Sequence, residues 1–248
     1  MESNPPDLHR YRGLIFDMDG VVTRTATVHA RAWKETFDPL LQSLAETGAT
    51  AYQPFDEHGE YLAHVDGLPR QEGVRRFLAS RGLELPEGAD DDPPEANTVH
   101  GVGRRKDERI QQLLREEGVP VFADFEARIS AWRAAGLRTA IVSSSRNCAA
   151  MISAAGIRGC FDTRVDGEVS RELGLHGKPH PDIFLEAARR LGLEPAECVV
   201  FEDAEAGVRA AAAGGFGLVI GVARHGDPER LLEHGAHVAI ETITELDP

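Results

Sequence analysis

Beyond residue 120 the chain alternates between short apolar segments and Ala-rich helical ones, and that rhythm sharply limits the folds open to it. Strand signals fall at Gly13–Asp17, 138–143, 161–165, Cys198–Glu202 and 216–222, with a weaker one at 237–240. Helical stretches at 125–135, 147–155, 181–191 and 206–213 separate them. Each runs into a glycine (Gly136, Gly156, Gly192, Gly214), the residue expected to end a helix in a left-handed turn. Strand and helix at this spacing predict a parallel sheet with helices on both faces.

The interval from His29 to about Gly118 breaks the rhythm. It reads as helical over 28–37 with a continuation to 47, over 71–81, and over 106–117. The connections are irregular, notably 52–61 and the acidic, Pro-rich 85–95. The economical organisation is a sheet-bearing core of 1–28 and 118–248 with a helical cap of 29–117 inserted after the first strand, well placed to cover a site at that strand's tip. The first ten residues are expected to be a loose lead-in.

Composition narrows the function classes. A net charge of −14 over 248 residues argues against nucleic acid or an anionic membrane as partner. No apolar run approaches the roughly 20 residues of a membrane span, and Met1-Glu2-Ser3-Asn4-Pro5-Pro6 lacks a signal-peptide core, so a cytoplasmic protein is expected. Cys148, Cys160 and Cys198 lack metal-ligand spacing and are expected to be reduced thiols. A monomer is the default expectation.

The chemistry-bearing residues gather at the ends of strand signals, where ligands bind in open α/β sheets. Leu14-Ile15 leads into Phe16-Asp17-Met18-Asp19-Gly20. Carboxylates two residues apart on an extended chain point the same way, and this pair could serve as metal ligand, nucleophile, general acid, or all three. Val142 leads into Ser143-Ser144-Ser145-Arg146-Asn147, and Gly177-Lys178-Pro179-His180-Pro181-Asp182 puts a lysine in a turn before a helix. Val199-Val200-Phe201 ends in Glu202-Asp203. Taken alone, the hydroxyls read as a helix cap, the lysine as a solvated turn residue and the last two acids as N-caps. Their shared placement favours a site.

In order and context these four pieces resemble the motifs of the haloacid dehalogenase superfamily, aspartate-nucleophile phosphotransferases, across nearly the whole chain. Within it the sequence most resembles the β-phosphoglucomutase type, through Val21-Val22-Thr23-Arg24-Thr25-Ala26, His29, Ala32-Trp33-Lys34, Gly67-Leu68-Pro69-Arg70, Arg105-Lys106-Asp107 and Ser143 to Asn147. The resemblance implies a Rossmann-like, doubly wound α/β core with an inserted helical cap. It also implies Mg²⁺ held by Asp17, the Asp19 main-chain carbonyl and Asp203, with Glu202 ligating or supporting the metal.

Asp17 is then the nucleophile, forming an aspartyl-phosphate, and Asp19 the general acid and base. Ser143, Ser144, nearby backbone N–H groups and Lys178 are expected to hold the phosphoryl oxygens. Thr25, His29, Arg70, Lys106, Ser145, Arg146 and Asn147 are expected to contact a sugar-phosphate substrate. Halide departure needs no acid, so the presence of Asp19 favours phosphoryl chemistry over dehalogenation.

The expected activity is interconversion of β-glucose 1-phosphate and glucose 6-phosphate. A sugar-phosphate phosphatase is the alternative, and a non-catalytic sugar-phosphate-binding protein a third. Three departures from the mutase pattern bear on that choice: Arg24 and Asp107 stand where Asp and Asn are usual, and His180 replaces a small residue. The glycine pairs at 101–103 and 215–217 lack dinucleotide-binding spacing. His176 and His180 could suggest a metal pair, but no carboxylate or cysteine cluster accompanies them, and they read as incidental.

Overall fold

A computed structural model describes residues 6–48, 50–65, 68, 70–224 and 227–247. Met1–Pro5 of the expected lead-in, and Gly67 and Pro69 of the Gly67-Leu68-Pro69-Arg70 motif, lie outside the described residues. The described chain divides into two compact units, 1–24 with 119–248, and 25–118.

The first unit is built on a six-stranded, all-parallel sheet ordered β3-β2-β1-β4-β5-β6. Its strands are β1 (Gly13–Asp17), β2 (Arg138–Val142), β3 (Thr163–Val165), β4 (Cys198–Glu202), β5 (Leu218–Val222) and β6 (Val238–Ile240). β1 and β4 are buried at every position, as expected of parallel strands covered on both faces. Successive side chains point to opposite faces. Phe16 and Phe201 stack at 4.6 Å on one face, against Phe125 and Trp132 of α4 (Ala123–Ala134). Ile15 and Val200 enter the opposite core with Phe184 and Ala187 of α7 (Asp182–Leu191) and Val208 of α8 (Glu205–Ala213). This is the doubly wound α/β architecture expected from the sequence.

The remaining helices of this unit are α5 (Cys148–Ala154), α6 (Gly167–Leu173) and α9 (Pro228–Glu233). The sequence reading passed over α6 and α9. Both are short, and both are started by an aspartate, Asp166 and Asp227, whose carboxylate accepts backbone N–H bonds. Gly136, Gly156 and Gly192 take positive φ as expected, but at the end of α8 it is Gly215 (φ +68°) that does so. Gly214 stays right-handed with φ −77°, where a Cβ would meet the Phe216 ring at 2.6 Å. Part of the expected lead-in is ordered: Asp7 caps a 3-10 turn over Leu8–Arg10 that buries Leu8.

The second unit is helical. α1 (Thr25–Glu46) runs through Pro39 as one helix, and α2 (Arg70–Ser80) and α3 (Val99–Glu117) follow, with a π-helical turn at Tyr61–Val65. Trp33, Phe37, Phe55 and Phe77 form its aromatic centre. α3 starts seven residues before the expected 106. Thr98 caps it by accepting from the Gly101 N–H, and Gly101 and Gly103 within its first five residues hid the helix from periodicity.

Candidate active site

The register of the sheet assembles the acids. Asp17 of β1 is paired with Val142 of β2, and Phe16 with Phe201 of β4, so Ser143 and Glu202-Asp203 emerge on either side of Asp17. Lys178 Nζ reaches between two of these groups, 2.5 Å from Asp17 Oδ1 and 2.6 Å from Glu202 Oε2. Its side chain is only 13% exposed. Burial alone would lower its pKa, but the two carboxylates raise it above the usual lysine range, and it stays charged.

Asp17 uses its other oxygen, Oδ2, to accept the Asp19 N–H at 2.9 Å. Asp19 Oδ2 accepts from Ser143 Oγ at 3.4 Å, and Ser143 Oγ accepts the Ser145 N–H at 3.1 Å. Ser145 Oγ in turn accepts the Asn147 N–H. Ser143 is buried, Ser144 and Arg146 are exposed, and Arg146 faces Glu168 at 3.9 Å.

Asp17, Glu202 and Asp203 each offer an oxygen within 4.8 Å of the others. Burial, then repulsion from Asp17, pushes the Glu202 carboxyl up to about 7, with Lys178 offsetting part of the rise. Desolvation, with Glu202 and Asp17 nearby, raises Asp203 well above the usual carboxylate range. So many hard oxygen donors with one lysine among them make a charge set that a divalent cation such as Mg²⁺ relieves. Two glycines make this crowding possible. A Cβ on Gly20, whose φ is +80°, would stand 1.8 Å from Asp203 Oδ2, and one on Gly207 would stand 2.0 Å from Glu202 Cδ.

Of the residues assigned to the second unit, Thr25 is buried at the first position of α1. Lys106 Nζ lies 2.9 Å from His29 Nδ1 and 5.3 Å from the centre of the Trp33 ring. Burial, then Lys106 and Arg70, hold the His29 imidazole well below its ordinary pKa, so Nδ1 acts as the acceptor of that bond. The Arg70 guanidinium faces Asp107 at 3.2 Å, one of the positions where the chain departs from the mutase pattern. His176 does have a carboxylate beside it: Asp182, six residues on, lies 2.8 Å from its Nδ1 and also takes its N–H.

Sequence reasoning missed Arg224 and Asp124. Arg224 follows β5 and donates to the Gly20 and Val21 carbonyls just past Asp19, and to Asp124. A charged residue directly after the apolar run 218–223 was the available signal.

The sequence pattern of the haloacid dehalogenase-like hydrolases matches residues 11–215. The chain belongs to that family. It is an enzyme of the haloacid dehalogenase-like class, and the four strand-tip pieces fall inside the matched span. It is 43% identical to a β-phosphoglucomutase of Mycobacterium bovis over 96% of this chain and 92% of that one. It is also 31% identical to the fructose-1-phosphate phosphatase YqaB of Escherichia coli, over 85% of this chain and 96% of that one. Among solved structures, CbbY from Rhodobacter sphaeroides in complex with phosphate superposes with a TM-score of 0.67 at 26% identity, covering 95% of this chain and 96% of that one. Among the described residues no helix is long and apolar enough to cross a membrane.

Proposed function

We propose that this haloacid dehalogenase-like enzyme is a Mg²⁺-dependent phosphotransferase acting on sugar phosphates, a β-phosphoglucomutase interconverting β-glucose 1-phosphate and glucose 6-phosphate. The observation that carries the phosphoryl chemistry is a buried carboxylate, Asp17, with a lysine on one oxygen and a second carboxylate, Asp19, two residues away. The mutase assignment rests on the 43% identity to the mycobacterial enzyme over nearly the whole length of both chains.

In this reading Asp17, Asp203, Glu202 and the Asp19 main-chain carbonyl hold Mg²⁺, which when bound offsets the charge of the phosphate ester. The Asp17 carboxylate attacks phosphorus in line and becomes an aspartyl-phosphate. Asp19 gives its proton to the departing sugar oxygen, then takes one from the hydroxyl that recovers the phosphoryl group. Ser143, Ser144 and Lys178 hold the phosphoryl oxygens. Thr25, His29, Arg70, Lys106, Ser145, Arg146 and Asn147 contact the substrate, with Arg70 and Lys106 binding the phosphate that is not in transit. The reading also takes the protein as a cytoplasmic monomer; light scattering on the purified chain tests the second of these.

The deciding experiment supplies purified protein with Mg²⁺, β-glucose 1-phosphate and a trace of glucose 1,6-bisphosphate. Glucose 6-phosphate and inorganic phosphate are then followed together. Accumulation of glucose 6-phosphate without free phosphate is expected; phosphate released mole for mole instead makes the enzyme a phosphatase. Two observations favour that second reading: the similarity to YqaB, and the Arg70–Asp107 pair, which opposes capture of a second phosphate.

A further inference from the structure

The turn that carries Asp19 lies beyond the last sheet bond of β1. It is closed on itself by Gly20 N–H to Thr23 O, and by Val22 and Thr23 N–H to Met18 O. Those bonds shape the turn but leave its outer carbonyls to find donors elsewhere. Arg224 supplies them. Its Nε donates to Gly20 O at 2.9 Å and one terminal nitrogen to Val21 O at 2.9 Å, while the other donates to Asp124 Oδ2 at 2.7 Å. The guanidinium carbon lies 3.7 Å from the centre of the Phe122 ring, and that of Arg24 lies 5.0 Å from the same ring.

Each of the three guanidinium nitrogens donates one bond, with an aromatic face beneath the group and a side chain only 10% exposed. Its anchor is itself anchored. The same Asp124 oxygen accepts from the Thr242 hydroxyl and the Ile243 N–H. Burial would raise the Asp124 carboxyl, but the bonds from Arg224, Ile243 and Thr242 hold it below its ordinary pKa. The chain crosses here as well: Val22 O accepts the Phe122 N–H, and Pro120 O accepts the Arg24 N–H.

We propose that Arg224 is a positioning residue for Asp19: by holding the two carbonyls that follow it, Arg224 fixes the turn from which Asp19 delivers and recovers its proton. The inference rests on the phosphotransfer reading above. It adds a residue about 200 positions away from the acid it serves. The Asp19 carboxylate accepts from Ser143 Oγ at 3.4 Å, and the two carbonyls that Arg224 holds lie one and two residues further along the same turn.

The test uses Arg224→Lys, which retains a cation for Asp124 but cannot form the fork, and Arg224→Met, which retains the stem over Phe122. A hexose phosphate needs a proton on its departing oxygen, whereas p-nitrophenolate leaves without one. With Mg²⁺ saturating for each variant, so that the Asp19 carbonyl proposed as a metal ligand does not limit either reaction, turnover of the hexose phosphate is expected to fall ~100-fold, against less than ~3-fold for p-nitrophenyl phosphate, because general-acid catalysis is worth about that much. In an Asp19→Asn background the Arg224 substitutions are expected to cost nothing more. Equal losses on both esters, or a further loss in that background, would overturn the assignment and leave Arg224 a residue of the fold alone.

Hydrogen exchange of the 18–23 amides in the whole protein gives an activity-independent measurement. Exchange is expected to be at least ~10-fold faster in both variants, with the 138–142 strand unchanged. Unaltered exchange at 18–23 would overturn the proposal. Wild type inert toward both esters would sink the phosphotransfer reading instead, and the exchange rates would then decide whether Arg224 fixes the turn.

Discussion

Lys178 Nζ stands 2.5 Å from Asp17 Oδ1, so the proposed nucleophile is held in an ion pair rather than as a lone buried charge. Lys178→Met removes the cation shared by Asp17 and Glu202 and leaves two buried carboxylates facing each other. Turnover of β-glucose 1-phosphate is expected to drop on the order of 10²- to 10³-fold, the scale of losing one preorganised charge at a reacting oxyanion. Steady-state kinetics at saturating Mg²⁺ measure it. A variant within a few-fold of wild type would remove Lys178 from the mechanism.

Gly20 carries two constraints at once, a φ of +80° and an absent Cβ that leaves room for Asp203. Gly20→Ala is expected to cost about 1–3 kcal/mol of stability from the left-handed backbone and the clash together. The added methyl displaces the Asp203 carboxylate from its place beside Gly20, so the Mg²⁺ concentration for half-maximal activity is expected to rise at least ~10-fold. Thermal denaturation and a Mg²⁺ titration read the two effects separately. An unchanged Mg²⁺ requirement would show that Asp203 does not ligate the metal.

Asp107 neutralises the cation proposed to grip the second phosphate. Asp107→Asn frees the Arg70 guanidinium, and the KM for the sugar bisphosphate is expected to fall ~3- to 10-fold, as for a charge-assisted bond regained. Hydrolysis of p-nitrophenyl phosphate, which has no second phosphate, is expected to stay as it was. Parallel changes on both substrates would show that the pair acts on the fold instead.

His29 gives a pH prediction whose sign is fixed by burial, Lys106 and Arg70, which depress its folded-state pKa. Below about pH 6.5 the unfolded chain binds a proton there that the folded chain refuses. The His29 contribution to stability is therefore complete above that pH and is lost as the pH falls below it toward the depressed value. Denaturant unfolding of wild type and His29→Gln across this range is expected to give a flatter acid limb for the variant. Superimposable slopes would mean that other groups set the acid limb.

The strand-tip residues were legible because β1 and β4 are apolar on both faces, so a carboxylate at their ends stands out against an uninterrupted hydrophobic run. Ser143 and Lys178 were legible only as members of an ordered set, since a hydroxyl before a helix or a lysine in a turn is ordinary on its own. What stayed hidden depends on contacts distant in sequence. No local pattern announces that Arg224 reaches Gly20, that Phe216 occupies the space a Cβ on Gly214 would need, or that Gly215 takes the left-handed turn. The start of α3 was lost for a different reason: two glycines among its first five residues erase the periodicity, and only the Thr98 cap marks it. The Arg70–Asp107 pair gives a physical reason for the Asp107 departure that sequence could only note as unusual.

The sheet order β3-β2-β1-β4-β5-β6 puts the first strand made at the centre, between two strands made much later. Asp17 leaves the ribosome about 160 residues before Lys178 and about 185 before β4 closes the far side of β1. Until then Asp17 lacks the lysine that pairs with it in the folded protein. Burying a carboxylate before its charged partner exists costs free energy. The acids proposed for the chemistry therefore also set a cost on burying the N-terminal strand before Lys178 and β4 are made.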